Sequence, residues 1–119
     1  MDLLQQRIDL LHQSGQIDVQ TKESLHNVLR LLNQQFGMDL NEETGSMMIT
    51  HLAMAVSRQL EGKSIKEMNE GQYSELRDDG DFEKASHIWK AVQEVLPVPF
   101  TTAEKQYMLL HLAALLKQI

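Results

Sequence analysis

The chain contains five histidines and no cysteine. The chemistry open to it is therefore imidazole chemistry: proton transfer, metal ligation, or attack by a neutral ring nitrogen. The lack of cysteine removes disulfides, thiolate metal sites and a thiol nucleophile together, and it permits a reducing compartment. Helical phase sorts the histidines. His26 falls in line with Lys22, Arg30 and Asn33, and His87 with Glu83, Lys90 and Glu94, so both are expected on solvated faces. His12 closes a short first helix, where a cationic ring suits the helix dipole. His51 and His111 each fall on an apolar face. A ring there is either a core imidazole satisfied by one hydrogen bond or a functional group.

The segments around these two histidines echo each other. Asn41 precedes His51, and Thr101 precedes His111, by the same interval. Met48 and Met108 stand three positions before their histidine, and Leu-Ala follows each. At about 100° per residue, Met48, His51 and Ala55 share a helix face, as do Met108, His111 and Leu115. Other signatures are missing from the sequence. There is no His-Glu-x-x-His, no clustered third metal ligand, no Gly-x-Ser-x-Gly elbow and no glycine-rich phosphate loop. No catalytic machinery, metal site or cofactor site is expected, and the chain does not read as an enzyme.

The elements that must position these residues are all helical. Leu3, Leu4, Ile8 and Leu11 open an amphipathic helix that Gly15 ends. Asp18 caps a second, with Leu25, Val28, Leu29, Leu32 and Phe36 on one face and Gly37 as its stop. Asn41 caps a third that runs towards Glu61 and Gly62, with Glu42 and Glu43 in its first turn. Residues 62–80 carry three glycines and an acidic run, which predicts a long connection with one or two short helical turns. Asp81 is expected to cap the next helix, with Ala85, Ile88, Trp89, Val92 and Leu96 buried, before Pro97 and Pro99 break the chain. Thr101 and Glu104 read as a capping box for the last helix. That helix is apolar nearly all round from Tyr107 to Leu116, which places it centrally in the fold or under a partner. The fold class expected is all-α: a compact bundle of about five longer helices forming one domain over residues 1–119. Its core should include Leu29, Leu32, Met48, Leu52, Trp89, Val92, Leu112 and Leu115.

Charge and hydropathy narrow the function. The net charge is −6, with 11 basic residues scattered among 17 acidic ones. Nucleic-acid binding draws on clustered cations that displace counterions, so direct contact with DNA or RNA is not expected. The longest apolar stretch is far shorter than the roughly 20 residues of a membrane span. No positively charged leader opens the chain, and a cytoplasmic location is expected.

The histidine segments resemble the PTS regulation domain, the PRD module of bacterial antiterminators and sugar-operon activators. His51-Leu-Ala-Met-Ala-Val-Ser-Arg58, followed by Gly62, is similar to that family's pattern of histidine, apolar segment and arginine. Glu104-Lys-Gln-Tyr-Met-Leu-Leu-His111-Leu is similar to its acidic-residue-to-histidine pattern. The spacing of about 60 residues suits the family as well. The resemblance extends from about residue 20 to the C-terminus. It implies a helical bundle whose two histidines face a common region and accept phosphoryl groups from the phosphocarrier HPr or an enzyme II B component. It also implies a change of dimer packing on phosphorylation. His51 and His111 become candidate phosphoacceptors, and Arg58 and Glu104 candidate groups that orient a histidine or its phosphate. The chain departs from the family at Ala53, where a small polar residue is common, and at Gln106, where a small residue is usual. Family regulators also carry an output domain, for which these residues leave no room, so a stand-alone regulatory domain is expected. The competing reading is a helical protein-interaction adaptor that keeps the fold without the phosphorylation. Exposure of the histidines separates the two.

Overall fold

In a computed structural model that describes residues 3–118, six helices follow one another: α1 (Leu3–Gln13), α2 (Val19–Phe36), α3 (Glu42–Leu60), α4 (Glu70–Arg77), α5 (Phe82–Val95) and α6 (Thr102–Leu116). No strand is present among the described residues. The five longer helices close into a ring. α1 packs on α2, α2 on α5, α5 on α6, α6 on α3 and α3 back on α1, and α2 and α3 meet across the ring. The radius of gyration is 13.8 Å, close to the roughly 13.5 Å of a compact chain of this length.

Local signals set the helix ends. The Asp18 carboxylate accepts from the Thr21 amide at 2.7 Å, taking one of the free donors of the first turn of α2. α2 stops at Gly37, whose φ of 64° is left-handed. The Met38 amide then returns to the Leu32 carbonyl, and Met38 itself is buried, the hydrophobic closure that accompanies such an end. Asn41 and Thr44 cap α3 reciprocally.

Two predicted caps are built differently. Asp81 makes no side-chain cap bond to α5. Its carboxylate accepts from Lys117 Nζ instead, at 3.0 Å, beside Asp79. The Thr101 hydroxyl does accept from the Glu104 amide, but Glu104 does not reach back to complete a capping box. The Thr101 amide donates to Gln59 Oε1 on α3 at 2.6 Å. The side chain of Glu104 is thereby left for another partner.

One apolar cluster joins all the helices, from Leu4 and Ile8 on α1 to Leu112 and Leu115 on α6. Leu32, Met48, Leu52, Trp89, Val92, Leu112 and Leu115 are buried in it, whereas Leu29 packs at its rim, half-buried. The apolar character of α6 has a direct cause: one side packs on α3 and the other on α5. Only Leu110 among its large apolar residues stands well exposed, at 42%. The connection of residues 62–80 is more ordered than its composition predicts. It contains α4, capped by Asn69 through the Gln72 amide, and it inserts Met68 and Leu76 into the core. Among the described residues no helix is long and apolar enough to cross a membrane.

Candidate functional site: a stacked histidine pair between α3 and α6

α3 and α6 run antiparallel. Gln59 meets Thr101, Arg58 meets Glu104 and His51 meets His111, so residue numbers rise along one helix as they fall along the other. Each helix carries two polar residues seven positions apart: His51 and Arg58 on α3, Glu104 and His111 on α6. Seven residues are nearly two turns, so each pair lies on one face about 10 Å apart along the axis. The antiparallel pairing sorts them into two rungs, His51 against His111 and Arg58 against Glu104. Ala55 on α3 and Met108 on α6 lie between the rungs and line the same cleft.

At the first rung the imidazoles stack, with ring centroids 4.3 Å apart and planes 20° from parallel. His51 is exposed and His111 half-buried. Burial lowers the pKa of His111, and the neighbouring His51 lowers it further, because a second positive charge beside it is unfavourable. The His111 ring is therefore held in its neutral form, in which a ring nitrogen has a free lone pair.

The second rung is an ion pair with a forked geometry. Arg58 Nε donates to Glu104 Oε2 at 2.8 Å and Nη2 to Oε1 at 3.0 Å. Glu104 is 2% exposed while the Arg58 side chain keeps 37%. This pairing explains why Glu104 does not cap its own helix. It also raises the pKa of Arg58, through the hydrogen bonds to Glu104 first. The two rungs with Ala55, Met108, Tyr107, Ile65 and Lys66 line a cleft of about 470 Å3 that opens to solvent.

All four residues singled out from the sequence thus line one site. Ala53, one of the two departures, is fully buried and points away from it. The other departure has a structural role: buried Gln106 accepts from the Met68 amide through Oε1 at 3.0 Å and fastens the 61–69 connection to α6. Sequence reasoning did not find Tyr107 or Lys66. Tyr107 was accessible to it, since it lies four residues before His111 and hence on the same face. Lys66 reaches the cleft from a loop, where no periodicity applies. The other three histidines lie outside the site. His87 is exposed and meets the Phe36 ring edge-on at 5.9 Å, and His12 lies in the last turn of α1. His26 corrects the expectation of a freely solvated ring: it is half-buried and bonds Asp9 on α1 through Nε2 at 2.9 Å. Among the described residues no group of three or more His, Asp or Glu side chains is placed to hold a metal ion.

Known proteins bear on this arrangement at one decisive point: residues 26–115 match the family described as the PRD domain. The chain belongs to the PRD family. Both rungs of the site lie inside the matched segment of this PRD domain. It is also 22% identical over 112 residues to "Uncharacterized protein YhfY" of Escherichia coli (strain K12), a match covering 94% of this chain and 93% of that protein. No solved structure matches.

Proposed function

We propose that this PRD domain is a regulatory module of the sugar phosphotransferase system that accepts a phosphoryl group at the His51–His111 pair. The observation carrying the reading is the pair itself: two imidazoles from different helices, stacked at 4.3 Å at the mouth of an open cleft. A core histidine needs one hydrogen-bond partner and no route to solvent. This pair has the reverse properties, since exposed His51 is reachable by a donor protein and half-buried His111 is held neutral.

Phosphoryl transfer asks for position and charge stabilisation more than for elaborate covalent machinery. The lone pair of a neutral ring nitrogen forms the new N–P bond. The donor's own bond to phosphorus breaks, its electron pair returns to the donor atom that held the phosphoryl group, and the proton released by the acceptor ring passes to the donor or to solvent. Donors of the required chemistry are phosphorylated HPr or an enzyme II B component, which places the domain in the cytoplasm. The modification adds roughly −1.5 to −2 charges, by analogy with phosphorylated hydroxyls. With ring centroids 4.3 Å apart, two such groups would repel strongly, so the pair takes one phosphoryl group at a time. A dianion over Ala55, Met108 and Ile65 repacks the mouth of the cleft, and that is the output signal. The domain passes it on by protein contact, as a homodimer, rather than by touching nucleic acid.

The test is incubation with HPr, the enzyme that charges it and phosphoenolpyruvate, followed by mass analysis that preserves phosphohistidine. Wild-type protein gains one labile phosphoryl group, and the double variant His51→Ala/His111→Ala gains none while keeping its helical circular dichroism. Equal labelling of wild type and double variant contradicts the proposal and favours the adaptor reading.

A further inference from the structure

The proposed acceptor site lacks an obvious cation for the phosphate it would hold. Arg58 is the residue its motif suggests, but its guanidinium is committed. Both of its hydrogen bonds go to Glu104, a carboxylate 2% exposed. Withdrawing Arg58 towards a phosphate would strand a buried charge, which costs far more than a surface contact returns. Arg58 also sits about 10 Å along the helix from His51. Among the described residues, the one other cation lining the cleft is Lys66.

Lys66 has the properties that Arg58 lacks. It is exposed, and among the described residues no carboxylate pairs with it, whereas its neighbour Lys63 is paired with Glu61 at 2.8 Å. Its place in the cleft is held from both sides. Ile65 packs half-buried into the same cleft. Two residues after Lys66, the Met68 side chain is buried and its amide is bonded to Gln106 on α6. Gln106 lies five residues before His111, so the anchor of the loop and the acceptor share one helix. The loop is thereby tied to the element it must serve, while the Lys66 ammonium remains free to move.

We infer that Lys66 is the phosphate-contacting residue of this site: it attracts the anionic donor and then pairs with the phosphoryl group on His51 or His111. Arg58 is a positioning residue that fixes α3 against α6 and so sets the histidine stack. This inference rests on the phosphoacceptor reading above.

Phosphoramidate, a small anionic donor, tests it without a protein partner. The acceptor nitrogen forms its bond to phosphorus and the P–N bond of phosphoramidate breaks. The electron pair leaves with ammonia, which takes up the proton that the acceptor ring releases. Initial rates of phosphohistidine formation are measured for wild type, Lys66→Gln, Lys66→Arg and Lys63→Gln at low and high salt. The expected result is a loss of about five-fold in Lys66→Gln, the scale of one exposed charge contact. Lys66→Arg should restore most of the rate, and Lys63→Gln should leave it unchanged. The salt dependence of the wild-type rate should be reduced in Lys66→Gln. Labelling of Lys66→Gln at the wild-type rate, with the same salt dependence, overturns the role of Lys66 and leaves the acceptor reading standing. Wild-type protein that forms no phosphohistidine overturns both.

Discussion

Replacing Arg58 with alanine should unfold this domain far more readily than its exposure suggests. The arginine side chain keeps 37% of its surface in water, but its partner Glu104 keeps 2%. Removing the guanidinium leaves a carboxylate in the α3–α6 interface with no cation and two hydrogen bonds lost. Exposed ion pairs contribute about 0–1 kcal/mol, whereas breaking a buried one costs about 3–5 kcal/mol. With one partner buried and one half-wet, Arg58→Ala should cost roughly 2–4 kcal/mol. For a domain of this size that lowers the melting temperature by about 8–15 °C. Glu104→Gln keeps the shape and leaves Arg58 able to turn to water, so its cost should be nearer 1 kcal/mol. The double variant should cost less than the two single changes together, because the charge stranded by the first is absent once the second is made. Urea denaturation followed by circular dichroism measures all four corners of the cycle. If Arg58→Ala and Glu104→Gln both stay within about 0.5 kcal/mol of wild type, the assignment of this pair as the lock between α3 and α6 is wrong.

Three further outcomes follow from the same geometry. His111 titrates below its ordinary value, so between that lowered pKa and about 6.5 the unfolded chain binds a proton that the folded chain does not. This contribution to stability is complete above about pH 6.5 and is lost as the pH falls. His111→Gln should flatten that part of the urea-midpoint profile. In wild type, NMR should find the His111 midpoint below the ordinary value, and His51→Gln should raise it only part of the way back, since burial is the larger cause. A Cβ at Gly45 would lie 2.8 Å from Leu4 Cδ2 and 3.2 Å from Leu40 Cβ, and Leu4 is fully buried. Gly45→Ala should therefore destabilise by about 1 kcal/mol, although helix propensity alone predicts a gain of similar size; a raised melting temperature would contradict the packing. Leu3 and Leu10 are each 62% exposed and line one shallow depression on α1. Light scattering at tens of micromolar should give a dimer mass, and a monomer mass counts against the homodimer proposal.

Much of the fold was legible because helix ends and buried faces leave local traces. Asp18, Gly37, Asn41 and Thr101 terminate their helices through bonds within a few residues of each. The buried stripes of α2, α3 and α5 follow the 3.6-residue period. The misreadings came where a side chain prefers a distant partner to a near one. Glu104 has the spacing of a capping-box residue, but 46 positions separate it from the arginine that holds it. Asp81 turns to Lys117, 36 positions away, and His26 to Asp9 across the α1–α2 turn. The site was legible as two motifs of the right types. That they form two rungs, one of stacked rings and one of charge, depends on the antiparallel register of α3 and α6. Lys66 was invisible, since its position follows from the Gln106 anchor and not from any pattern in its own loop.

The central claim is that His51 and His111 make one phosphoryl-accepting site, and site mapping of the phosphorylated wild-type protein tests it most directly. The protein is charged with HPr, the enzyme that charges HPr and phosphoenolpyruvate, and its phosphohistidines are located by tandem mass spectrometry at alkaline pH. The account predicts one phosphoryl group per chain, found on His51 or His111 and never on both. Modification at His12, His26 or His87, two phosphoryl groups on the same pair, or no modification would contradict it.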